Sequence, residues 1–313
     1  MLKCEFTFLG SDGKTNIHAV KWMPENSGYH AILQITHGMV EFIERYEPFA
    51  EFLTQHGYMV VGHDHLGHGD SIRDVSDFGY FREENPSDGL IKDMHKLRTI
   101  IQDENPDVPY FMLGHSMGSF MLRKYLAYHN ENLRGAIIMG TGFIPENTTK
   151  LALKVVNIFK KFKGSRHRSK FIESLTFGAS YKQFDMTGTV PEKSWLTKDV
   201  DIVKSYYADP RCSFMFTVNG YQGLFEAVNF SCNLENVKKI PQKLPIFIVS
   251  GDQDPVGDLG VGVKKVYELF KEAGSLDLTY KLYENDRHEI LNETDKQQVF
   301  EDILSWMNVR IDT

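Results

Sequence analysis

Tyr110-Phe111-Met112-Leu113-Gly114-His115-Ser116-Met117-Gly118 is the stretch whose reading decides the fold. Four apolar residues in a row, Tyr110–Leu113, suit a strand buried on both faces, since a strand with one wet face would alternate. The chain then passes into Met117–Tyr128, where apolar residues return at helical spacing. The junction reads G-x-S-x-G. A serine on such a strand-to-helix turn stands on a sharp, exposed elbow. Gly114 and Gly118 are needed beside it because a Cβ would collide with the adjoining strand and helix. The start of the helix also points free N–H groups at any negative charge that develops there.

The same rhythm extends in both directions. Ala31–Thr36, Tyr58–Gly62 and Ala136–Met139 are further short apolar runs, with helical patterns near Glu44–Gln55 and Pro86–Asp103 between them. Ahead of them, Glu5–Leu9 and Ile17–Trp22 flank the turn cluster Gly10-Ser11-Asp12-Gly13, which predicts an antiparallel hairpin. After Gly142 the rhythm stops, and no strand-like run appears until about Asn233. It resumes with Pro245–Ser250, a helix near Val261–Glu272, the strand-like Leu278–Tyr283 and a helix near Asp295–Met307. This order predicts an α/β fold, with a mainly parallel sheet covered by helices on both faces. The core domain is expected in two pieces, residues 1–142 and 233–313, with residues 143–232 inserted as a helical cap. An independent middle domain would leave the late strands without a sheet to join.

Composition sets outer limits. The chain has 313 residues, a formal net charge of −7 and three scattered cysteines, Cys4, Cys212 and Cys232. Net acidity argues against general nucleic-acid binding. Three cysteines without a CxxC pair argue for a reducing, cytoplasmic setting rather than a disulfide framework. No charged region leads into an apolar run at the N-terminus, so no signal peptide is expected. No apolar stretch is long enough to span a bilayer.

The elbow serine needs partners. In hydrolases built on such an elbow the order along the chain is nucleophile, acid, base. After His167 the only histidine is His288, just past the strand-like Leu278–Tyr283. His288 is therefore the expected base. Two acids follow Pro245–Ser250, namely Asp252 and Asp254. Asp254 is favoured because the loop needs a few residues to reach His288, while Asp252 suits a turn that its own side chain closes. The oxyanion formed during attack needs two backbone donors. These are expected from Met117, the residue after the nucleophile, and from Met39 in His37-Gly38-Met39-Val40-Glu41, with Gly38 allowing close approach. His63-Asp64-His65-Leu66-Gly67-His68-Gly69-Asp70-Ser71 invites a metal reading. However, Gly67 stands where the binuclear pattern H-x-H-x-D-H needs aspartate, and the glycines suit a self-bonded loop. No metal or other cofactor is expected.

Taken together, His37-Gly38…Glu41, His63–Gly69…Ser71, Gly114–Gly118, Gly251…Asp254-Pro255-Val256 and His288-Glu289 resemble, in order and spacing, the monoacylglycerol lipase and lysophospholipase group of α/β-hydrolases, also called serine aminopeptidase S33-type. The resemblance implies Ser116, Asp254 and His288 as catalytic triad and a cap over an acyl pocket. Three positions depart from the group. Val40 and Phe42 stand where a small residue and a histidine are usual, and Ser119 replaces a second glycine after the elbow. These changes are expected to alter the pocket wall.

Within the insertion, Lys150–Lys170 contains eight Lys or Arg and no acid, interleaved with Leu151, Leu153, Val155, Val156, Ile158, Phe159 and Phe162. A basic amphipathic helix of this kind lies on an anionic membrane surface or packs its apolar side on the core. Phe214, Phe216, Tyr221, Leu224 and Phe225 either line an acyl pocket or form cap core. Gly38, His115, Phe214, Tyr221 and Phe225 are the candidate substrate-binding residues. The expected reaction is hydrolysis of a carboxylic ester through an acyl-enzyme, with a monoacylglycerol, lysophospholipid or other long-chain monoester as substrate. An aminopeptidase would share the triad, but should bind a free amine through acidic cap groups. A ligand-binding receptor with a hydrolase pocket is the alternative from another class. Ser116 excludes the dehalogenases and epoxide hydrolases that attack with aspartate.

Overall fold

The computed structural model describes residues 1–25 and 28–311. The strand-like runs become β1 (Leu2–Leu9), β2 (Asn16–Met23), β3 (Ala31–Thr36), β4 (Tyr58–His63), β5 (Tyr110–His115), β6 (Leu133–Met139), β7 (Ile246–Gly251) and β8 (Leu278–Tyr283). They form one sheet in the order β1-β2-β4-β3-β5-β6-β7-β8. The expected hairpin is present, as β1 and β2 pair antiparallel. Asp12 closes their turn by accepting from the N–H groups of Lys14 and Thr15. The pair β2–β4 is antiparallel and every pair from β4 to β8 is parallel. Strands β3, β4, β5 and β7 are buried at every residue, which explains why their sequences do not alternate.

Helices cover both faces. On one side α1 (Glu47–Gln55) and a C-terminal helix, Lys296–Asn308, bury Phe49, Leu53, Val299 and Ile303 against Phe111, Leu113 and Val249. On the other, α2 (Pro86–Glu104), α3 (Met117–Leu126) and the helix Val261–Glu272 bury Leu90, Met94, Met121 and Val266 against Met112, Ile138 and Ile248. The helix expected from Glu44 starts as a 3-10 turn, Ile43–Tyr46, and becomes α-helical at Glu47, where Pro48 occupies the first turn.

Between β6 and β7 the chain forms α4 (Glu146–Lys163), α5 (Lys170–Ser174), α6 (Val200–Ala208), α7 (Val218–Ser231) and α8 (Leu234–Val237). Helix α7 lies on α3 and α2 of the core, and α4 lies on α7. Arg123 of α3 gathers both ends of this segment. Its guanidinium donates to the Gly142 carbonyl at 3.2 Å and to the Ser231 carbonyl at 2.5 Å, at the C-terminal end of α7. Among the described residues no helix is long and apolar enough to cross a membrane.

Candidate active site

The turn after β5 holds Ser116 at φ +52°, ψ −120°. Side chains rarely tolerate this conformation, which costs about 1–3 kcal/mol and persists only where the surroundings enforce it. Close packing does the enforcing. A Cβ on Gly114 would lie 2.4 Å from the Gly118 carbonyl oxygen, and one on Gly118 would lie 2.1 Å from the Thr36 carbonyl oxygen. The Ser116 N–H donates to the Met139 carbonyl at 3.0 Å, tying the elbow to β6. Ser119 does not line the cavity. Its hydroxyl instead donates to the Ser116 carbonyl at 2.6 Å, bracing the elbow from inside the helix.

Asp254 and His288 meet above the ends of β7 and β8. His288 Nδ1 lies 3.0 Å from Asp254 Oδ1, and both side chains are fully buried. The Ser250 hydroxyl and the Val256 N–H donate to the same carboxylate, each at 2.8 Å. Burial pushes the Asp254 carboxyl up, but the His288 ring and these donors outweigh it, and its pKa lies below the ordinary value. Asp252 has a different task. Its Oδ1 accepts from the Asn285 N–H at 2.9 Å, joining the loop after β7 to the loop that carries His288. His288 Nε2 is buried with no hydrogen-bond partner among the described residues. A buried ring nitrogen without a partner is costly unless a ligand or a reacting group engages it. Ser116 and His288 line the same cavity.

Beneath them lies a charged network. Glu41 accepts from the Gly38 N–H and, at 3.0 Å, from the Tyr46 hydroxyl, and His115 Nδ1 lies 3.1 Å from it. Arg45 bridges Glu41, at 2.9 Å, to Glu289, where it makes a two-pronged contact at 2.8 and 2.7 Å. Burial would raise the Glu41 carboxyl, yet His115, Arg45 and the Gly38 N–H hold it down at about 2. Burial would lower the His115 imidazole, but Glu41 beside it raises its pKa above the ordinary value. With His115 protonated, two cations balance two carboxylates. The network ties the Met39 loop to the residue after His288.

Met39, Val40, His115, Ser116, Met117 and His288 open onto one cavity of about 650 Å³. Its far walls come from the segment between β6 and β7, among them Leu175, Phe177, Trp195, Phe214, Leu224 and Phe225. The Trp195 ring stacks on the His288 ring, with centroids 5.0 Å apart. Val40 sits at φ +57°, a strained setting for a β-branched residue, and the Tyr206 hydroxyl holds its carbonyl at 3.0 Å. Phe42 does not line the cavity. It packs with Leu196, Tyr206 and Cys212 and lies under the Arg211 guanidinium at 3.7 Å, so this departure serves contact with the inserted segment.

A serine on a strained elbow, facing a cavity with a buried Asp–His pair, is the arrangement found in many α/β-hydrolases. Residues 28–295 match the family described as serine aminopeptidase, S33. The chain belongs to this family. Its fold superposes with a TM-score of 0.90 on a thermostable carboxyl esterase from Bacillus coagulans, solved in complex with glycerol, at 32% identity and 99% coverage of both chains. It is 27% identical over 289 residues to a monoglyceride lipase homolog of Monkeypox virus, covering 90% of each chain. It is also 27% identical over 305 residues to the human monoglyceride lipase, covering 93% of this chain and 86% of the human one. This S33-family protein is a carboxylic ester hydrolase.

The structure brings together most of the hydrolase's expected site residues and moves others. Ser116, His288, Met39, Met117, His115, Phe214 and Phe225 all border the cavity, with Asp254 behind His288. Tyr221 does not reach it. That side chain is fully buried with its ring against Phe216 and Phe225, so it is core rather than a substrate contact. Gly38 is also absent from the lining. A Cβ there would lie 3.0 Å from Ser116 Cβ, so its part is to permit close approach. His115 faces the cavity but is committed to Glu41 and Tyr46, a supporting part rather than a free binding group. Sequence reasoning missed Arg45, Tyr46 and Trp195.

The histidine-rich loop after β4 is self-bonded. Asp64 accepts from the Ile43 N–H at 2.7 Å and the Asp70 N–H at 2.9 Å, and lies 3.0 Å from His18 Nδ1. Among the described residues the acidic and histidine donors that converge are His18, Asp64 and Asp70, and separately Asp286, Glu293 and Asp295. His63, His65 and His68 join neither set, and their ring nitrogens are buried without partners. Burial holds His65 down at about 4 and His68 at about 3, and His37 and His63 well below their ordinary value.

Proposed function

We propose that this esterase hydrolyses long-chain monoesters, with a monoacylglycerol as the best-supported substrate, through an acyl-enzyme on Ser116. The observation that carries the reading is the single cavity in which Ser116 and His288 meet apolar walls from the inserted segment. His288 accepts the Ser116 proton at Nε2 and Asp254 holds its tautomer and stabilises the imidazolium. The backbone N–H groups of Met39 and Met117 receive the oxyanion. His288 then returns the proton to the leaving alcohol. Water enters, gives its proton to His288 and attacks the acyl carbon, releasing the acid and restoring Ser116.

Residues 143–232 act as a cap that supplies the acyl-binding wall. Leu151, Val155, Ile158 and Phe162 recur at i, i+4, i+7 and i+11 and so share one face of α4. Three of them are strongly exposed, at 63%, 56% and 75% for Leu151, Ile158 and Phe162. Lys154, Lys161 and Lys163 lie beside this stripe, and Phe171, Leu175 and Phe177 are exposed as well, the last two lining the cavity. An apolar stripe flanked by lysines suits peripheral contact with an anionic lipid surface. The three cysteines are free, in keeping with a cytoplasmic setting.

One observation favours an amine-bearing substrate, as for an aminopeptidase: Glu173 and Asp258 line the cavity. The surrounding apolar wall weighs more. The test compares p-nitrophenyl esters from acetate to palmitate, monoacylglycerols and an amino-acid p-nitroanilide. The expected result is a maximum at medium or long acyl chains, turnover of monoacylglycerol, and no anilide cleavage. Anilide cleavage that exceeds ester cleavage would transfer the assignment to a peptidase.

A further inference from the structure

The loop that carries His288 is held by the cap. Residues 192–198 run alongside it, and most of the contacts use backbone carbonyls. The Glu289 N–H donates to the Leu196 carbonyl at 2.7 Å and the His288 N–H to the Trp195 carbonyl at 3.4 Å. The Arg287 guanidinium donates to the carbonyls of Ser194 at 2.6 Å, Thr197 at 3.1 Å and Glu192 at 2.9 Å. One fully buried carboxylate, Glu293, takes part on both sides. It accepts from the Arg287 N–H at 2.8 Å within the loop, and from the Lys198 N–H at 2.9 Å and the Thr197 hydroxyl at 3.0 Å on the cap.

The loop and the following turn bring three acids together: Asp286, Glu293 and Asp295. The first two are buried and the third is exposed. Their common cation is Lys198, whose Nζ lies 2.6 Å from Asp286, 3.9 Å from Glu293 and 3.4 Å from Asp295. Arg287 also faces Glu293, and the Tyr283 phenol faces Asp286. Two buried carboxylates this close cannot both stay ionised without such a cation.

We infer that Lys198 is a positioning residue for catalysis: its ammonium, donated from the cap, holds the Asp286–Glu293 loop in the shape that aims His288 at Ser116 and seats Trp195 on the imidazole. The inference rests on the reading of Ser116 and His288 as nucleophile and base. Closure of the cap and alignment of the base are thereby one event, since the strap that roofs the cavity also sets the histidine. Asp286 is already raised to about 6, by burial first and by the neighbouring carboxylates, against the pull of Lys198. Without Lys198 the carboxylates would repel more strongly at high pH and less once protonated.

The test uses the full chain and a soluble p-nitrophenyl ester, with Ser116→Ala alongside. Lys198→Met is expected to lower kcat about tenfold at pH 8, as a modest misalignment of catalytic groups does, with KM within about twofold. Its loss should shrink toward pH 6, where protonation relieves the repulsion. Lys198→Arg should restore kcat, and Lys198→Met/Asp286→Asn, which removes one cation and one anion, should return the pH profile toward wild type. If Lys198→Met does not fold, the double variant and Lys198→Arg decide. A double variant that folds with wild-type pH dependence supports the inference. Wild-type kcat in Lys198→Met, a loss equal at pH 6 and pH 8, a change in KM alone, or a double variant no better than the single would overturn it. Absence of Ser116-dependent turnover in the wild type would instead mean that the esterase reading itself has failed.

Discussion

The core and the proposed cap, residues 143–232, hold the same site by different means. On the core side, position is enforced by backbone crowding: Ser116 is strained, and Gly114 and Gly118 leave no room for a Cβ. On the cap side, position depends on polar contacts, with carbonyls of residues 192–197 and the Lys198 ammonium reaching across to the His288 loop. Strands β3, β4, β5 and β7 are buried at every residue, whereas α4 buries only Thr149 and Val156 and leaves an apolar stripe outside. The difference teaches that the Ser116 turn is fixed by backbone packing within the core, while the His288 loop also depends on polar contacts from the segment between β6 and β7.

The largest expected effect lies on the core side. Asp254→Asn should cut kcat by roughly 10⁴-fold, because an amide there favours the wrong imidazole tautomer. Asp252→Asn should cost far less, since Asp252 ties two loops and does not touch His288. A pH–rate series on both variants distinguishes them, and equal losses would remove the distinction drawn between these two acids.

A smaller effect is expected on the cap. Replacing Leu151, Ile158 and Phe162 together by Ser should weaken sedimentation with anionic vesicles by at least about tenfold, given the apolar area removed. Hydrolysis of soluble short-chain esters should stay unchanged, because none of the three lines the cavity. Unaltered vesicle binding would return α4 to an ordinary solvated face.

The smallest effect concerns the histidine loop that braces the core. Burial keeps His37, His63, His65 and His68 neutral in the fold, with pKa values below the unfolded value. At these four rings the unfolded chain therefore binds more protons than the native one below about pH 6.5, and their contribution to stability falls as pH drops toward 4. Tm should decline by about 10 °C across that window, read by calorimetry. A flat Tm would mean that these rings take up protons in the fold.

Much of the core side was legible in the sequence. Strands buried on both faces lose their polar residues and stand out as unbroken runs, and the elbow glycines and the solitary His288 follow from sterics and elimination. Assigning Asp254 over Asp252 needed only the reach of a loop. The cap was less legible, for a physical reason. Its hold on His288 runs through backbone carbonyls, which carry no residue signature. The Arg45–Glu289 contact spans 244 residues, so no local spacing announces it. Tyr221 and Phe225, four apart, share one face of α7 and looked equivalent, yet only Phe225, one turn farther along the helix, reaches the cavity, while Tyr221 stays buried against it.

The central claim is that Ser116 is a nucleophile activated by His288 within a cavity walled by apolar side chains. Its most direct test is covalent labelling by a long-chain alkyl fluorophosphonate, followed by peptide mass spectrometry. The account predicts one adduct, on the peptide containing Ser116, formed at least about 10³-fold more slowly in His288→Ala. No labelling of the wild type, an adduct elsewhere, or an undiminished rate in His288→Ala would contradict it.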